Sequence, residues 1–177
     1  MALFTGKGDG GTTKTFGCNQ QRISKSSELP EALGSLDELN AFLGLVKMRS
    51  SVERISSALR EVQENLFIVQ AQVAGADKKL KEGLVEEVSE VINTIEQEIP
   101  PIAGFSIAGG TELSALLDVA RTLSRRAERR VVAVQEMKLR ELASDTLAYL
   151  NRLSSLLFAL ARLANHLQGV PEENPHY

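Results

Sequence analysis

An all-α bundle of five helices is the fold this sequence predicts, and three observations predict it. Apolar residues recur at spacings of three and four through five separate stretches, the period of one helical face. Gly34, Gly75, Pro100-Pro101, Gly109-Gly110 and Gly169 punctuate the gaps between those stretches. No strand-like alternation of apolar and polar residues survives beyond a few positions. The 177 residues fit one domain of ordinary size, and the chain reads as a single domain over 1–177 with a loop at residues 1–30 and helices over 35–168.

Residues 5–17, TGKGDGGTTKTFG, hold five glycines and four threonines without periodicity, and they read as a loop rather than an element. The tetrad Ser35-Leu36-Asp37-Glu38 reads as a capping box opening the first helix, whose stripe is Leu36, Leu39, Leu43 and Val46. A second helix carries Leu59, Val62, Leu66, Val69 and Val73 and ends near Gly75. The third starts at about Lys78 or Gly83, carries Leu84, Val88, Val91, Ile95 and Ile99, and is stopped by Pro100-Pro101. Residues 102–110 form an irregular connection with an exposed aromatic, Phe105. Thr111 caps the fourth helix, which runs through Leu113, Leu116, Leu117, Ala120, Leu123, Ala127 and Val131 to about Lys138. The fifth carries Leu147, Leu150, Leu153, Leu157, Leu160, Ala164 and Leu167, and Gly169 and Pro171 terminate it.

Composition narrows the function. Twenty Lys/Arg against 23 Asp/Glu give a net charge of −3, which argues against a general nucleic-acid binder. A 43% hydrophobic and 24% charged composition is that of a globular chain, not a disordered one. The single cysteine, Cys18, forms no internal disulfide, and His166 and His176 are too few for a Cys/His zinc site. The N-terminus has no secretory or transit pattern, and the longest apolar run, residues 153–163, is short and interrupted by Arg162. The expectation is a soluble cytoplasmic protein without membrane or nucleic-acid partners.

Three constellations remain for chemistry. Backbone amides of the Gly/Thr loop are suited to cradling phosphates, with Lys7 and Lys14 adding charge, although the loop is no P-loop and a merely flexible N-terminus is the plainer reading. Arg121, Arg125 and Arg129 lie at i, i+4 and i+8 on one helix, joined by Arg126 and Arg130, and Glu128 and Asp118 offset only part of that charge. Such a stripe is either a solvated face or one that meets an anion or a second subunit. On the last helix Ser144, Asn151, Ser155 and Arg162 form a polar stripe in which Asn151 either fixes register or serves as a ligand amide.

In combination and order these segments resemble the PduO-type ATP:cob(I)alamin adenosyltransferases. The likeness is carried by Gly8-Asp9-x-Gly11-x-Thr13, Arg22-x-x-Lys25, Gly34-x-x-Asp37-Glu38-Leu39-Asn40, Phe105-x-x-x-Gly109-Gly110, Ala120-Arg121-x-x-x-Arg125-Arg126-Ala127-Glu128-Arg129 and Asn151-Arg152-Leu153-Ser154, across nearly the whole chain. The resemblance implies a five-helix bundle assembled as a homotrimer, with active sites between subunits. It also implies transfer of the 5′-deoxyadenosyl group of ATP to the cobalt of a reduced corrinoid, with release of triphosphate. By the same likeness, Thr5, Gly6, Lys7, Gly8, Asp9, Thr13, Lys14 and Lys25 would wrap ATP and its Mg²⁺. Arg125, Arg126, Glu128, Arg129 and Asn151 would complete the nucleotide site. Phe105 would occupy the lower corrinoid face and keep the lower axial ligand away, and Arg121 would pair with Asp37 of a neighbouring subunit. A reductase supplying Co(I) and a B12-dependent enzyme taking the product are the implied partners.

Three positions depart from the pattern: Gly6 where a basic residue is common, Ala108 in place of the Pro before the Gly-Gly pair, and Ser155 in place of the Asp that follows Asn-Arg-Leu-Ser. The alternative from another class is a noncatalytic trimer of the same fold that carries or senses nucleotide or corrinoid. Lys25, Arg125, Asn151 and Phe105 favour the enzyme, since a purely structural trimer needs none of them.

Overall fold

The computed structural model describes residues 3–17, 21–102 and 104–176; Cys18 lies outside them. Five helices carry the fold: α1 (Glu28–Arg49), α2 (Glu53–Ala74), α3 (Leu84–Glu98), α4 (Glu112–Glu136) and α5 (Ser144–Leu167). Ahead of them, β1 (Thr12–Thr13) and β2 (Ile23–Ser24) pair antiparallel with Thr12 opposite Ser24. This hairpin is an addition to the all-helical expectation, and two residues per strand are too few to print an alternation in sequence.

The first helix starts earlier than the capping-box reading placed it. It opens at Glu28, with Ser27 as N-cap, and runs straight through Gly34. Ser35 is therefore an interior residue and caps nothing. Pro30 sits in the first turn, where its missing N–H removes no intrahelical bond. Leu29, Ala32, Leu36, Leu39, Leu43 and Val46 are all buried on one face, and that burial outweighs the roughly 1 kcal/mol cost of a helical glycine.

The other boundaries follow their signals. Gly75 (φ 99°) caps α2, its N–H donating to the carbonyls of Ala71 and Gln72. Gly83 precedes α3. The Thr111 hydroxyl accepts from the Ser114 N–H at 3.1 Å and caps α4. Two stripe residues are corrected: Val91 and Leu167 are exposed, and Ile92 takes the buried place on α3.

Side-chain partners give the packing. Glu31–Arg130, Glu38–Arg126 and Arg49–Glu112 run α1 and α4 antiparallel. Asn151–Glu128 sets α5 antiparallel to α4, and Asn40 and Gln63 exchange side-chain to backbone bonds between α1 and α2. Arg54–Glu98 ties the start of α2 to the end of α3. The leucines and valines inside form one continuous core. Within it Tyr149 is fully buried, and burial raises its hydroxyl above the usual tyrosine range. Among the described residues no helix is long and apolar enough to cross a membrane.

Candidate active site

The arginine row on α4 divides between two neighbours. Arg126 and Arg130 turn to Glu38 and Glu31 of α1. Arg121 and Arg125 turn the other way, into a cleft of about 710 Å³ shared with Ser154, Ser155 and Phe158 of α5 and with Ile102, Gly104, Phe105 and Ser106 of the connection before α4. That volume is of ligand size. Arg129 is exposed, one turn further along the same face.

Arg121 is held from two sides. Its Nε donates to Asp118 Oδ1 at 2.9 Å, and its guanidinium carbon stands 5.9 Å from the centre of the Phe158 ring. Within this chain its carboxylate partner is thus Asp118, one helical turn away. Asp37 stands exposed on α1, on a stripe with exposed Ala41, Leu45 and Met48. Arg125 is exposed at the cleft, with no ion pair among the described residues. Phe105 is 80% exposed at its mouth. An aromatic side chain that leaves this much apolar area in water at the rim of a cationic cleft is placed to meet a ligand or partner.

Asn151 donates to Glu128 Oε1 at 3.2 Å, so these two members of the proposed nucleotide site lie side by side. The Gly/Thr loop folds through turns closed by Asp9 N–H to Gly6 O and Gly11 N–H to Gly8 O, both 3.1 Å. Arg22 donates to both the hydroxyl and the carbonyl of Thr12, and the Lys25 N–H donates to Gly11 O. Lys25 lies over the loop, its Nζ 3.1 Å from where a Cβ on Gly8 would stand. Gly8 and Lys25, seventeen positions apart, therefore share one surface. Thr5, Gly6, Lys7, Asp9 and Lys14 are exposed on the same loop and Thr13 is half-buried in β1.

One member of the polar stripe expected on α5 is elsewhere. Arg162 is buried, paired with Glu172 and donating to Pro100 O at 2.7 Å, because the chain after α5 folds back over it. Phe158 went unremarked in sequence, although it lies seven residues after Asn151 and three after Ser155, on the stripe that faces the cleft.

Comparison with known proteins settles what family this arrangement belongs to. The profile of the cobalamin adenosyltransferase family matches residues 3–164. The chain belongs to the cobalamin adenosyltransferases. A corrinoid adenosyltransferase of Bacillus subtilis is 38% identical over 178 residues, covering 96% of this chain and 90% of the relative. The corrinoid adenosyltransferase PduO of Salmonella typhimurium is also 38% identical, and there the match spans 49% of the relative. Two solved structures from Lactobacillus reuteri superpose along nearly the whole chain. One is a phenylalanine-to-histidine variant PduO-type ATP:corrinoid adenosyltransferase complexed with cobalamin and ATP, at 34% identity and TM-score 0.88, covering 97% of this chain and 95% of that one. The other is an arginine-to-lysine variant complexed with ATP, at 33% identity and TM-score 0.89, covering 98% and 100%. This family member keeps the five-helix bundle of those structures.

Proposed function

We propose that this cobalamin adenosyltransferase family member transfers the 5′-deoxyadenosyl group of ATP to the cobalt of a reduced corrinoid. The single observation that carries the reading is the cleft in which the exposed Phe105 faces Arg121 and Arg125 across the α4–α5 surface. Its lining combines Ile102, Phe105 and Phe158, which suit a broad ring system, with the guanidiniums of Arg121 and Arg125, which suit a polyphosphate. Family membership supports the same reading.

In the reaction the Co(I) electron pair attacks C5′ of ATP. A cobalt–carbon bond forms as the C5′–oxygen bond breaks, and that bond's electrons leave with triphosphate. Cobalt passes formally from Co(I) to Co(III), so the only external reductant is the one that first makes Co(I), the role of a partner reductase. No proton moves in this step, which suits a site without His or Cys. Negative charge builds on the leaving triphosphate, so the fixed cations Arg125, Arg129, Lys25 and Lys7 hold it more tightly as the bond breaks. Arg126, Glu128 and Asn151 orient the nucleotide, and amides of residues 5–14 close around the phosphates with Thr5, Gly6, Gly8, Asp9, Thr13 and Lys14. Among the described residues no three His, Cys, Asp or Glu side chains gather to hold a metal. Mg²⁺ would enter with ATP, as the counter-ion of its phosphates. Phe105 stands against the lower corrinoid face and keeps the axial ligand off, which eases reduction to Co(I).

The active unit is a homotrimer with its sites between subunits, working in the cytoplasm and passing product to a B12-dependent enzyme, with the whole chain as one catalytic domain. The exposed stripe of Asp37, Ala41, Leu45 and Met48 supports this assembly, since it sets a carboxylate among uncovered apolar residues. Arg121 then reaches Asp37 of the neighbouring subunit. Anaerobic incubation with Co(I) corrinoid and MgATP tests the reading: the product's cobalt–carbon absorption spectrum should appear. Tight binding of both ligands without that spectrum would instead indicate a carrier or sensor.

A further inference from the structure

Phe105 is carried on a connection whose two ends are tied to the same face of α5. Arg162 donates to Pro100 O at 2.7 Å at the start of the connection. One turn later on α5, Asn165 holds its end. Asn165 Nδ2 donates to Gly109 O at 3.0 Å, and Oδ1 accepts from the Thr111 N–H at 2.9 Å. Both side chains are buried, at 6% and 7% exposure. The contact with Asn165 is so close that a Cβ on Gly110 would stand 2.6 Å from its amide atoms, and Gly110 has φ 91°. The segment after α5 adds a third tie: Glu172 pairs with Arg162, and the Ile107 N–H donates to Glu173 O at 2.8 Å. Neither Arg162 nor Asn165 lines the cleft.

We infer that Asn165, with Arg162, is a positioning residue that fixes the height of Phe105 over the corrinoid face and so sets how fully the lower axial ligand is excluded. The inference rests on the corrinoid reading above. Phe105 itself is 80% exposed and has little packing of its own to hold it. Ala108 stands where the family pattern places a Pro, so the backbone before Gly109 lacks that ring's fixed φ. The order of the connection is then supplied by hydrogen bonds from α5, and buried amides with both ends satisfied are stiff anchors.

Asn165→Asp separates positioning from folding. The carboxylate keeps the acceptor for the Thr111 N–H, at a helix N-terminus that favours negative charge. It loses the donor to Gly109 O and sets two oxygens against each other there. The experiment uses the full chain, anaerobic at pH 8, with MgATP and Co(II) corrinoid. It reads the electron paramagnetic resonance signal of the four-coordinate, lower-ligand-free cobalt, and then turnover once a chemical reductant is added to supply the electron that makes Co(I). The four-coordinate fraction and kcat should each fall about tenfold, the equivalent of roughly 1.4 kcal/mol for the lost hydrogen bond to Gly109 O. The Kd for ATP should stay within about twofold of the parent, and Ala108→Pro in the same background should restore part of the signal. Asn165→Ala, which loses both bonds, carries the same spectroscopic expectation should the Asp variant not fold. An unchanged four-coordinate fraction with unchanged kcat would overturn the inference, as would a loss of ATP affinity parallel to the loss of signal. If the parent protein itself gives neither the four-coordinate signal nor product, the corrinoid reading has failed instead.

Discussion

Replacing Arg125 by alanine removes a guanidinium that lines the cleft beside Phe105 and has no ion pair among the described residues. Two magnitudes follow from that placement. The side chain is exposed, so its loss leaves no buried charge unpaired and opens no cavity; stability should move by no more than about 0.5 kcal/mol. For a chain of this length that is a shift of roughly 2 °C or less in melting temperature. Toward triphosphate the situation is reversed, because a fixed cation there gains strength as the C5′–oxygen bond breaks. Loss of one such preorganised donor costs about 2.7–4 kcal/mol in the transition state, roughly a hundred- to thousandfold in turnover. The assay is anaerobic turnover at saturating ATP and Co(I) corrinoid, beside thermal unfolding of the same preparation. Arg130→Ala, on the same helix but outside the proposed nucleotide site, is the control: the arginine and its partner Glu31 are both about half exposed, and such a pair contributes at most about 1 kcal/mol to stability. Turnover of Arg125→Ala within threefold of the parent would refute the charge-stabilising role.

In the Arg121 and Asp37 alanine cycle, trimer dissociation followed by sedimentation should give a coupling of about 0.5–3 kcal/mol; additive losses would mean the two do not meet across subunits. Arg121→Ala alone also strips the mostly buried Asp118 of its partner, so only the cycle isolates the intersubunit part. Gly110→Ala should lower the melting temperature by roughly 4–8 °C, for a cost of about 2 kcal/mol from a positive φ and a Cβ driven into Asn165; an unchanged melting temperature would refute that contact. Tyr149→Phe should leave stability near pH 7 almost unchanged and flatten its alkaline loss. Burial raises the folded-state pKa above the 10.0 of a free tyrosine, so above about pH 10 the unfolded chain holds fewer protons and stability falls as pH rises. Equal slopes in parent and variant between pH 9 and 11 would count against a buried neutral phenol.

The helices were legible because leucine and valine periodicity reports burial directly, and the ends at Gly75, Thr111 and Gly169 because each residue type does one local job there. The start of α1 was not. Pro30 and Gly34 are breakers in a helix interior, yet Pro30 falls in the first turn, and the buried face from Leu29 to Val46 outweighs one glycine. Phe105, Arg121 and Arg125 were legible as candidates, and the cleft they share is long-range geometry that spacing along one helix does not encode. Arg162 and Asn165 show the same limit. A polar residue among leucines reads as a solvated position, and what buries these two is Pro100, residues 106–111 and residues 170–173, remote in sequence from Arg162 or reached only by a turn after the helix.

The most direct test of adenosyl transfer at this cleft is the stoichiometry of a single anaerobic turnover with Co(I) corrinoid and MgATP. One cobalt–carbon bond should form per active site, matched one to one by inorganic triphosphate, and neither should appear with Arg125→Ala on the same timescale. Orthophosphate or diphosphate in place of triphosphate, or triphosphate without the cobalt–carbon bond, would contradict the account.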